Sequence, residues 1–351
     1  GTTPCISCGI LMKKYTISDI AAAAKVSNTT VSNFLNGHLD EMSAKTAERI
    51  QRVISEAGYR PSIIASSLKN SQNNLIGVIL THTKTMMARY LIHQLCIFCQ
   101  DRQYHPLFTS IEDNEKNELD CIRHLVDYSV CGIITLSGTS ARYMEKAGGS
   151  AVPLVACDRR IAGVDSVFMD YEKSVELLMD AAVADGYDSF SMFSFDTWRM
   201  PQSTVLIRER AYANYCDCHG IENNVYRIDP ENAETSIISS LDHFLVSGGY
   251  GKKMVFVTNA PLLSEMDRTC LKHGLRSCEL VSLYGYLTSS NTYDSWFYPD
   301  TNIKRVVAPP LDQMAKKSVD RLVDRLTESS GAAGLPADIV LEPVLISSPS
   351  A

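Results

Sequence analysis

The chain has 351 residues, of which 45% are hydrophobic and 21% are charged, and its net charge is −7 at pH 7. This length favours two or three domains, and this composition is typical of a globular protein with a full apolar core. No run of eighteen apolar residues occurs, which excludes a membrane-spanning helix, and residues 1–11 lack the basic start and apolar core of a secretory signal. We expect a cytoplasmic protein without membrane contact.

The cysteines and motifs indicate neither a metal centre nor an enzyme. Eleven cysteines in a cytoplasmic chain are expected to be reduced thiols. Cys5-x-x-Cys8 has no second Cys or His pair nearby, and Cys216, Cys218 and His219 lie in one predicted helix, where they cannot all face one metal ion. A nucleotide-binding glycine loop, a His-Glu-x-x-His motif and a serine elbow are all missing from the sequence. We expect no catalytic activity, no metal and no cofactor.

The charge is unevenly distributed along the chain. Residues 12–70 contain eight Lys and Arg but five acids, a net charge of +3, which leaves −10 for the remainder. A basic amino-terminal segment on an acidic body indicates that one end of the molecule meets a polyanion. We interpret residues 1–11 as an upstream extension or a cloning remnant, and residues 12–60 as the domain that meets the polyanion.

The pattern of this amino-terminal domain predicts three short helices. Thr16 and Asp19 form a capping-box pattern before a stretch with one apolar face. Ser27 is a suitable N-cap for a second helix, which is expected to end at Asn36-Gly37. A third amphipathic helix is expected from Ser43 to Ala57. Two short helices joined by a tight turn predict a helix-turn-helix.

The outer face of the predicted second helix is uncharged and rich in hydrogen-bonding groups. Amide and hydroxyl side chains suit base edges and phosphates, a helix N-terminus itself favours phosphate, and Asn can pair with N6 and N7 of adenine. The residues of this face are Ser27, Asn28, Thr29, Thr30, Ser32, Asn33 and Asn36. They favour DNA binding over a purely structural three-helix unit.

Three segments carry a resemblance to a known family. In chain order they read YTISDIAAAAKVSNTTVSNFLNG (residues 15–37), MSAKTAERIQRVISEAGYRPS (residues 42–62) and IIASSLKNSQNNLIGVI (residues 63–79). In order and spacing they resemble the lac/galactose repressor family of transcription regulators, nearest to the branch of the fructose and ketodeoxygluconate repressors. The resemblance implies a sequence-specific regulator that binds operator DNA.

The resemblance also implies DNA-contacting roles. Asn28, Thr29 and Asn33 match base-reading positions of the family. The residues expected at phosphates are Thr16, Ser27, Thr30, Ser32, Asn36, Ser43 and Thr46. Two departures stand out. Lys25 replaces the usual turn glycine, where φ is expected to be unusual, and Asn33 replaces a common Arg or His, which predicts a different operator sequence.

Residues 61–73 are expected to form a hinge and linker. The stretch from Pro61 to Asn70 is a helix candidate of about two turns, too short to be stable alone in water. In the family this segment folds on DNA, pairs with its dimer mate and wedges a leucine into the minor groove. Leu68 matches that leucine, and Ala65 matches the small residue at the contact of the pair. The alternative is a plain linker with Leu68 packed on the core.

Residues 74–351 alternate between apolar strands and helical stretches, which predicts parallel sheets covered on both faces. Strands are expected at 75–80, 104–109, 130–136, 153–157, 190–195, 254–258 and 280–286, and clear helices at 171–184 and 313–326. The resemblance implies two lobes like those of periplasmic sugar-binding proteins, with three crossovers and a ligand in the cleft. The expected fold class is thus an all-α helix-turn-helix head on a two-lobed α/β body for effector binding and dimerisation.

Six residues are expected to lie in this cleft, of which His82 and Lys84 follow the first strand. Asp158 and Arg159 follow a predicted strand and match a cleft position of the family. Arg208 lies in STVLIRERAY, which resembles the effector-binding arginine segment of the family. Asn259 follows another predicted strand. For either arginine the alternative is a surface salt bridge.

The cleft departs from the family in its charge. Ala260 and Leu287 stand where the family commonly has acids, and His82 and Lys84 follow the first strand in place of a third acid. A cleft that loses carboxylates and gains basic groups should prefer an anion. We therefore expect a small anionic carbohydrate, a sugar acid or sugar phosphate, as effector. The alternatives are a degenerate cleft, and a sugar-binding protein without a regulatory role.

The implied mechanism is allosteric repression by a homodimer. Two heads read a near-palindromic operator, paired hinges bend it, and effector binding in the body weakens the hinge pairing. The end of the chain carries no apolar heptad tail, which favours a dimer over a tetramer. A rival interpretation is an architectural DNA-binding protein that responds to no effector.

Overall fold

The computed structural model describes residues 15–35, 37–59, 74–81, 86–111, 115–137, 152–195, 204–247, 251–274, 282–286, 302–328 and 334–347. The chain divides into two compact units, Gly1–Asn73 and Asn74–Ala351, which we call the head and the body. The predicted features outside the described residues are the extension 1–11, Asn36, the hinge with Ala65 and Leu68, and the cleft residues His82 and Lys84.

The head contains the three predicted helices. They are α1 (Ile17–Ala24), α2 (Asn28–Leu35) and α3 (Ala44–Ala57), with a 3-10 turn at Leu39–Glu41 between α2 and α3. The capping box at the start of α1 is present: the Asp19 N–H donates to Thr16 Oγ1 (3.3 Å), and the Thr16 N–H donates to the Asp19 carboxylate (2.8 Å). These bonds satisfy backbone donors that a helix N-terminus would otherwise leave unpaired.

A small apolar core holds the three helices together. Ile20, Ala21 and Ala24 of α1 pack with Val31 of α2 and Ile50 of α3, and all five are at most 3% exposed. The two alanines let the helix backbones approach closely, while burial of each branched side chain contributes roughly 1.5–3 kcal/mol. The predicted inner faces of the helices are therefore confirmed.

The turn between α1 and α2 is built on a left-handed residue that is not glycine. Lys25 has φ 51° and ψ 48°, so the unusual φ expected at this position is confirmed. This conformation costs an L-residue roughly 1–2 kcal/mol. The turn is retained because the Lys25 N–H caps α1, and because Arg49 Nε of α3 donates to the Ala24 carbonyl (2.8 Å). Both bonds satisfy groups at the end of α1.

The body is built on two six-stranded sheets. Their strands are β1 (Leu75–Leu80), β2 (His105–Ser110), β3 (Gly132–Thr135), β4 (Leu154–Cys157), β5 (Asp165–Met169), β6 (Ser189–Phe195), β7 (Val225–Ile228), β8 (Lys253–Val257), β9 (Ser282–Tyr286), β10 (Ile303–Ala308), β11 (Asp338–Leu341) and β12 (Val344–Ser347). The first sheet has the order β11-β5-β4-β3-β1-β2 and the second has the order β12-β10-β9-β8-β6-β7. All pairings are parallel except that of β12 with β10.

Helices cover these sheets. They are α4 (Met86–Asp101), α5 (Glu115–Asp127), α6 (Tyr171–Ala184), α7 (Thr204–His219), α8 (Ala233–Ser247), α9 (Ala260–Lys272) and α10 (Leu311–Thr327). None of the helices in the described ranges is long and apolar enough to cross a membrane.

The chain passes between the two lobes three times. It leaves the first sheet after β5 through α6, which packs against β9, β10 and β12 of the second sheet. It returns after β10 through α10, which packs against the first sheet, and it crosses again between β11 and β12. The two-lobed α/β fold class and the three crossovers are confirmed. The carboxyl ends of parallel strands are where ligands bind in such sheets, and the predicted cleft residues Asp158, Arg159 and Asn259 follow such ends.

Candidate nucleic-acid interface and ligand cleft

The second helix of the head begins with an exposed polar turn. The Thr30 N–H donates to Ser27 Oγ (3.1 Å), so Ser27 is the N-cap of α2 as predicted. Ser27, Asn28 and Thr29 are exposed, while Thr30 and Ser32 are half-buried. This end of the helix combines hydroxyl and amide groups with the partial positive charge of a helix N-terminus, which suits contact with a nucleic acid.

The two asparagines of α2 are held by neighbouring elements. Asn28 Nδ2 donates to Ser18 Oγ on α1 (3.2 Å). Asn33 Nδ2 donates to the carboxylate of Glu41 in the 3-10 turn. Side chains that are fixed before binding lose less conformational entropy when they meet a base.

The other predicted phosphate contacts lie at helix starts. Thr16 begins α1 and Ser43 begins α3, where the Thr46 N–H donates to Ser43 Oγ (3.2 Å). The hydroxyls of Ser43 and Thr46 also bond each other (2.9 Å). The structure thus places Thr16, Ser27, Thr30, Ser43 and Thr46 in the first turns of the three helices of the head, which are positions that favour anions, whereas Ser32 lies in the middle of α2.

In the body, Asp158 lies at the end of strand β4 of the first lobe, where the cleft is predicted. It follows β4 with φ 65°, and its carboxylate accepts a hydrogen bond from the Tyr171 hydroxyl (2.6 Å). Tyr171 is the first residue of the crossover helix α6. Burial raises the pKa of Asp158, although the Tyr171 hydrogen bond and the charges of Arg159 and Arg208 oppose that rise.

Arg208 of α7 enters from the second lobe and is 9% exposed. Its Nη1 donates to the Thr258 carbonyl (2.6 Å) at the end of β8. The guanidinium carbon lies 4.6 Å from the ring centre of Tyr171 and 4.1 Å from that of Tyr286. Within the described ranges it forms no ion pair with a carboxylate, and its buried Nε has no hydrogen-bond partner. The guanidinium is therefore held in place by Thr258 and the two rings, while its Nε donor is unpaired within those ranges.

Each of the two tyrosines has its hydroxyl held by a different residue. Ser174 Oγ donates to the backbone carbonyl of Tyr171 (2.6 Å), and it lies 2.7 Å from the Tyr286 hydroxyl. Because the serine has a single hydrogen to donate, Tyr286 must be the donor in the second bond. Ser174 thus fixes the Tyr286 hydroxyl and Asp158 fixes the Tyr171 hydroxyl, while both rings lie against Arg208. Each such contact of a cation with a ring contributes roughly 0.5–2 kcal/mol.

The remaining predicted cleft residues have different surroundings. Asn259 is the N-cap of α9, where its Oδ1 accepts from the Leu262 N–H (2.9 Å). Arg159 is half-buried, and its Nε has no partner among the described groups. The structure brings Asp158 and Arg208 together through Tyr171, and Asn259 directly follows the Thr258 carbonyl that Arg208 binds.

Sequence reasoning missed Tyr171, Ser174 and Tyr286. A tyrosine at the start of a helix and another at the end of a strand are the only local signals. Their role depends on contacts between segments as far as 112 residues apart. No group of three His, Cys, Asp or Glu side chains in the described ranges could hold a metal ion.

The head matches a known family of DNA-binding domains. A family model described as "Bacterial regulatory proteins, lacI family" matches residues 16–62. This head is a lacI-family DNA-binding domain. The resemblance seen in the sequence is confirmed for this domain, which matches the DNA-binding domain of bacterial transcription regulators.

Similar proteins extend over the body as well. The HTH-type transcriptional regulator PtxS of Pseudomonas plecoglossicida is 27% identical over 322 residues, which cover 90% of each chain. The HTH-type transcriptional regulator KdgR of Bacillus subtilis (strain 168) is 22% identical over 339 residues, 94% of this chain and 96% of that protein. The crystal structure of the lac repressor dimer bound to operator and the anti-inducer ONPF matches with a TM-score of 0.78, at 20% identity, over 95% of this chain and 98% of that chain. The lacI-type head and the two-lobed body therefore occur together in known folds.

The raised pKa of Asp158 predicts how its removal affects stability. Between the ordinary aspartate pKa and the raised value, the folded body holds a proton that the unfolded chain has released, so stability falls as pH rises through this window. Asp158→Asn cannot ionise but still accepts from Tyr171. We expect it to melt higher than the parent at pH 7, by about 2–4 °C for each kcal/mol gained, with the difference vanishing below about pH 4.

Asp185→Asn is the control with the opposite sign. Hydrogen bonds from Arg305 lower the pKa of Asp185, so its contribution to stability is present at neutral pH and is lost as pH falls through the lowered value. This variant should melt lower than the parent at pH 7. An Asp158→Asn protein that also melts lower at pH 7 would show that the arginines outweigh burial at Asp158.

Proposed function

We propose that this regulator is a repressor whose operator binding is released by an acidic carbohydrate in the cleft, either a sugar acid or a sugar phosphate. The observation that carries the proposal is Arg208, a buried guanidinium that forms no ion pair with a carboxylate in the described structure and whose Nε has no hydrogen-bond partner. Burying a charge costs several kcal/mol; the charge of Asp158, the bond to Thr258 and the two tyrosine rings offset part of that cost, and an anionic ligand would offset more of it.

The geometry of Arg208 favours carboxylate or phosphate over a neutral group. Its plane is fixed by Tyr171 and Tyr286, and one nitrogen is already bonded to Thr258. Nε is unused, and guanidinium donors match the spacing of two oxygens on one anion. Sugar hydroxyls accept single hydrogen bonds but do not neutralise the charge.

Asp158 adds the preference for a carbohydrate. Its carboxylate accepts from Tyr171 through one oxygen, and the second oxygen suits a sugar hydroxyl. An anionic group at Arg208 and a hydroxyl at Asp158 together describe an acidic sugar. The half-buried Arg159 is proposed to strengthen the anionic end, and His82 and Lys84 are assigned to the same end from the sequence. The amide nitrogen of Asn259 is proposed as a further donor to the ligand.

The proposed ligand would contact both lobes and the helix that joins them. Asp158 belongs to the first lobe, Arg208 to the second, and Tyr171 begins the crossover helix. A ligand that holds these groups together favours one arrangement of the lobes over others, which is the requirement for control of a distant site.

The DNA side of the proposal follows the resemblance. Asn28, Thr29 and Asn33 read bases, and the helix starts at Thr16, Ser27 and Ser43, with Thr30, Ser32, Asn36 and Thr46, contact phosphates. At the minor groove, Leu68 of the hinge is proposed as the inserted wedge and Ala65 as the small residue at the contact of the paired hinges. Two copies of the chain bind a near-palindromic operator as a homodimer, in line with the dimer described for the lac repressor on its operator.

Base reading by α2 predicts a specific defect. The double variant Asn28→Ala, Asn33→Ala should lose the preference for operator over random DNA by roughly tenfold or more, since each good base pairing contributes about 1–3 kcal/mol. Non-specific binding should remain, because phosphate contacts dominate it. Fluorescence anisotropy on operator and random duplexes at one salt concentration measures both. Unchanged selectivity would remove the base-reading assignment.

The ligand class predicts a thermal-shift pattern for the full chain. A sugar acid or sugar phosphate at about 100 times its Kd should raise the Tm by about 5–10 °C, while neutral sugars should not. Arg208→Lys keeps the positive charge but loses the planar guanidinium with its paired N–H donors. The rise in Tm caused by the ligand should therefore largely disappear. Arg210→Lys, an exposed change two residues along α7, is the matched control and should respond like the parent. Stabilisation by neutral sugars alone would contradict the anionic class.

A further inference from the structure

The 3-10 turn after α2 places a carboxylate on a proposed base-reading residue. The His38 N–H donates to the Asn33 carbonyl (2.9 Å), and Gly37 at φ 80° turns the chain back on the helix. The turn Leu39–Glu41 follows, and the exposed Glu41 carboxylate accepts a hydrogen bond from Asn33 Nδ2. An exposed acid at a surface that binds DNA lowers the affinity for DNA of any sequence. General affinity therefore does not explain the presence of Glu41 at this position.

The partner of Asn33 fixes the direction of its amide. The oxygen and nitrogen of an asparagine amide can exchange places by a half-turn, and only the hydrogen-bond partners decide between the two. An ionised carboxylate accepts hydrogen bonds and donates none. Glu41 therefore requires the nitrogen of Asn33. The same argument does not hold for Asn28, because the hydroxyl of its partner Ser18 either donates or accepts.

We propose that Glu41 is a specificity-determining residue that fixes Asn33 with its amide oxygen directed towards the base. This inference rests on the proposed base-reading role of Asn33. In the major groove, the amino groups of adenine (N6) and cytosine (N4) donate hydrogen bonds, while guanine O6 and thymine O4 only accept. An amide oxygen that faces the base edge favours adenine or cytosine at the operator position that Asn33 reads.

The charge of Glu41 acts in the same direction as the amide oxygen. A carboxylate beside the base edge is repelled by the acceptors of guanine and thymine and is compatible with an amino group. Specificity gained in this way depends on rejecting wrong bases, and it comes at the expense of overall affinity.

The test is selection of binding sites from a randomised operator by the full chain, compared with Glu41→Gln. Glutamine has nearly the same shape, but its amide either donates or accepts, so Asn33 regains both orientations. We expect the preference for adenine or cytosine over guanine and thymine to fall about tenfold at one position of each half-site, with the other positions unchanged.

Asp40→Asn is the matched control. It removes the same charge from the neighbouring exposed residue of the turn, and it leaves the Asn33–Glu41 bond in place. Both variants should bind all DNA sequences more tightly because each loses a negative charge. If Glu41→Gln shifts affinity as Asp40→Asn does and leaves base preference intact, Glu41 acts through charge alone and the proposal is wrong.

Asn33→Ala separates this proposal from the function on which it rests. If that variant loses a base preference while Glu41→Gln does not, only the role of Glu41 is overturned. If Asn33→Ala leaves every preference unchanged, the base-reading role of Asn33 fails, and the role of Glu41 fails with it. Circular dichroism of each variant confirms that the head remains helical.

Discussion

The proposed ligand cleft depends on the buried guanidinium of Arg208 and its contacts. It sits against the faces of Tyr171 and Tyr286 and donates to Thr258, yet it forms no ion pair with a carboxylate in the described structure. A protein that only needed stability would place an acid or an apolar residue there. The surroundings instead hold the charge in one orientation, as expected where a ligand supplies the missing partner.

The head also contains features that cost stability or affinity for DNA. Its helices are short, so their stability depends on caps and on a few buried residues such as Ile20 and Ile50. The turn keeps Lys25 in a left-handed conformation, and an acid at Glu41 faces the recognition helix. Each of these features costs stability or affinity, and in our interpretation the contact of Glu41 with Asn33 returns specificity.

Much of the fold could be predicted because its signals are local. Capping residues and apolar periodicity located the three helices of the head, and β1 and α6 were predicted with their observed bounds. Among the described strands, β5, β7, β10, β11 and β12 were not predicted. In β10, Lys304 and Arg305 interrupt the apolar run, and the strand tolerates Arg305 because Asp185, 120 residues away in sequence, pairs with it. A partner at that distance cannot be read from a window of ten residues.

The candidate cleft was predictable in part for the same reason. Asp158 and Arg208 were found through family resemblance, since each lies in a recognisable segment. Tyr171, Ser174 and Tyr286 were not found, because their contacts around Arg208 join segments that are far apart in sequence, and aromatic residues in such segments usually belong to the core. The polarity of the Asn33 amide likewise required the structure, since only the turn brings Glu41 to it.

In our proposal, occupation of Arg208 controls the affinity of the head for DNA. The most direct measurement is the operator Kd of the full chain at increasing concentrations of the acidic sugar that stabilises it, for the parent and for Arg208→Lys. The parent should lose at least about tenfold in affinity, a coupling of about 1.4 kcal/mol, with saturation at the concentration that saturates the thermal shift, while the variant should not respond. A ligand that fills the cleft through Arg208 and leaves the operator Kd unchanged would contradict this control.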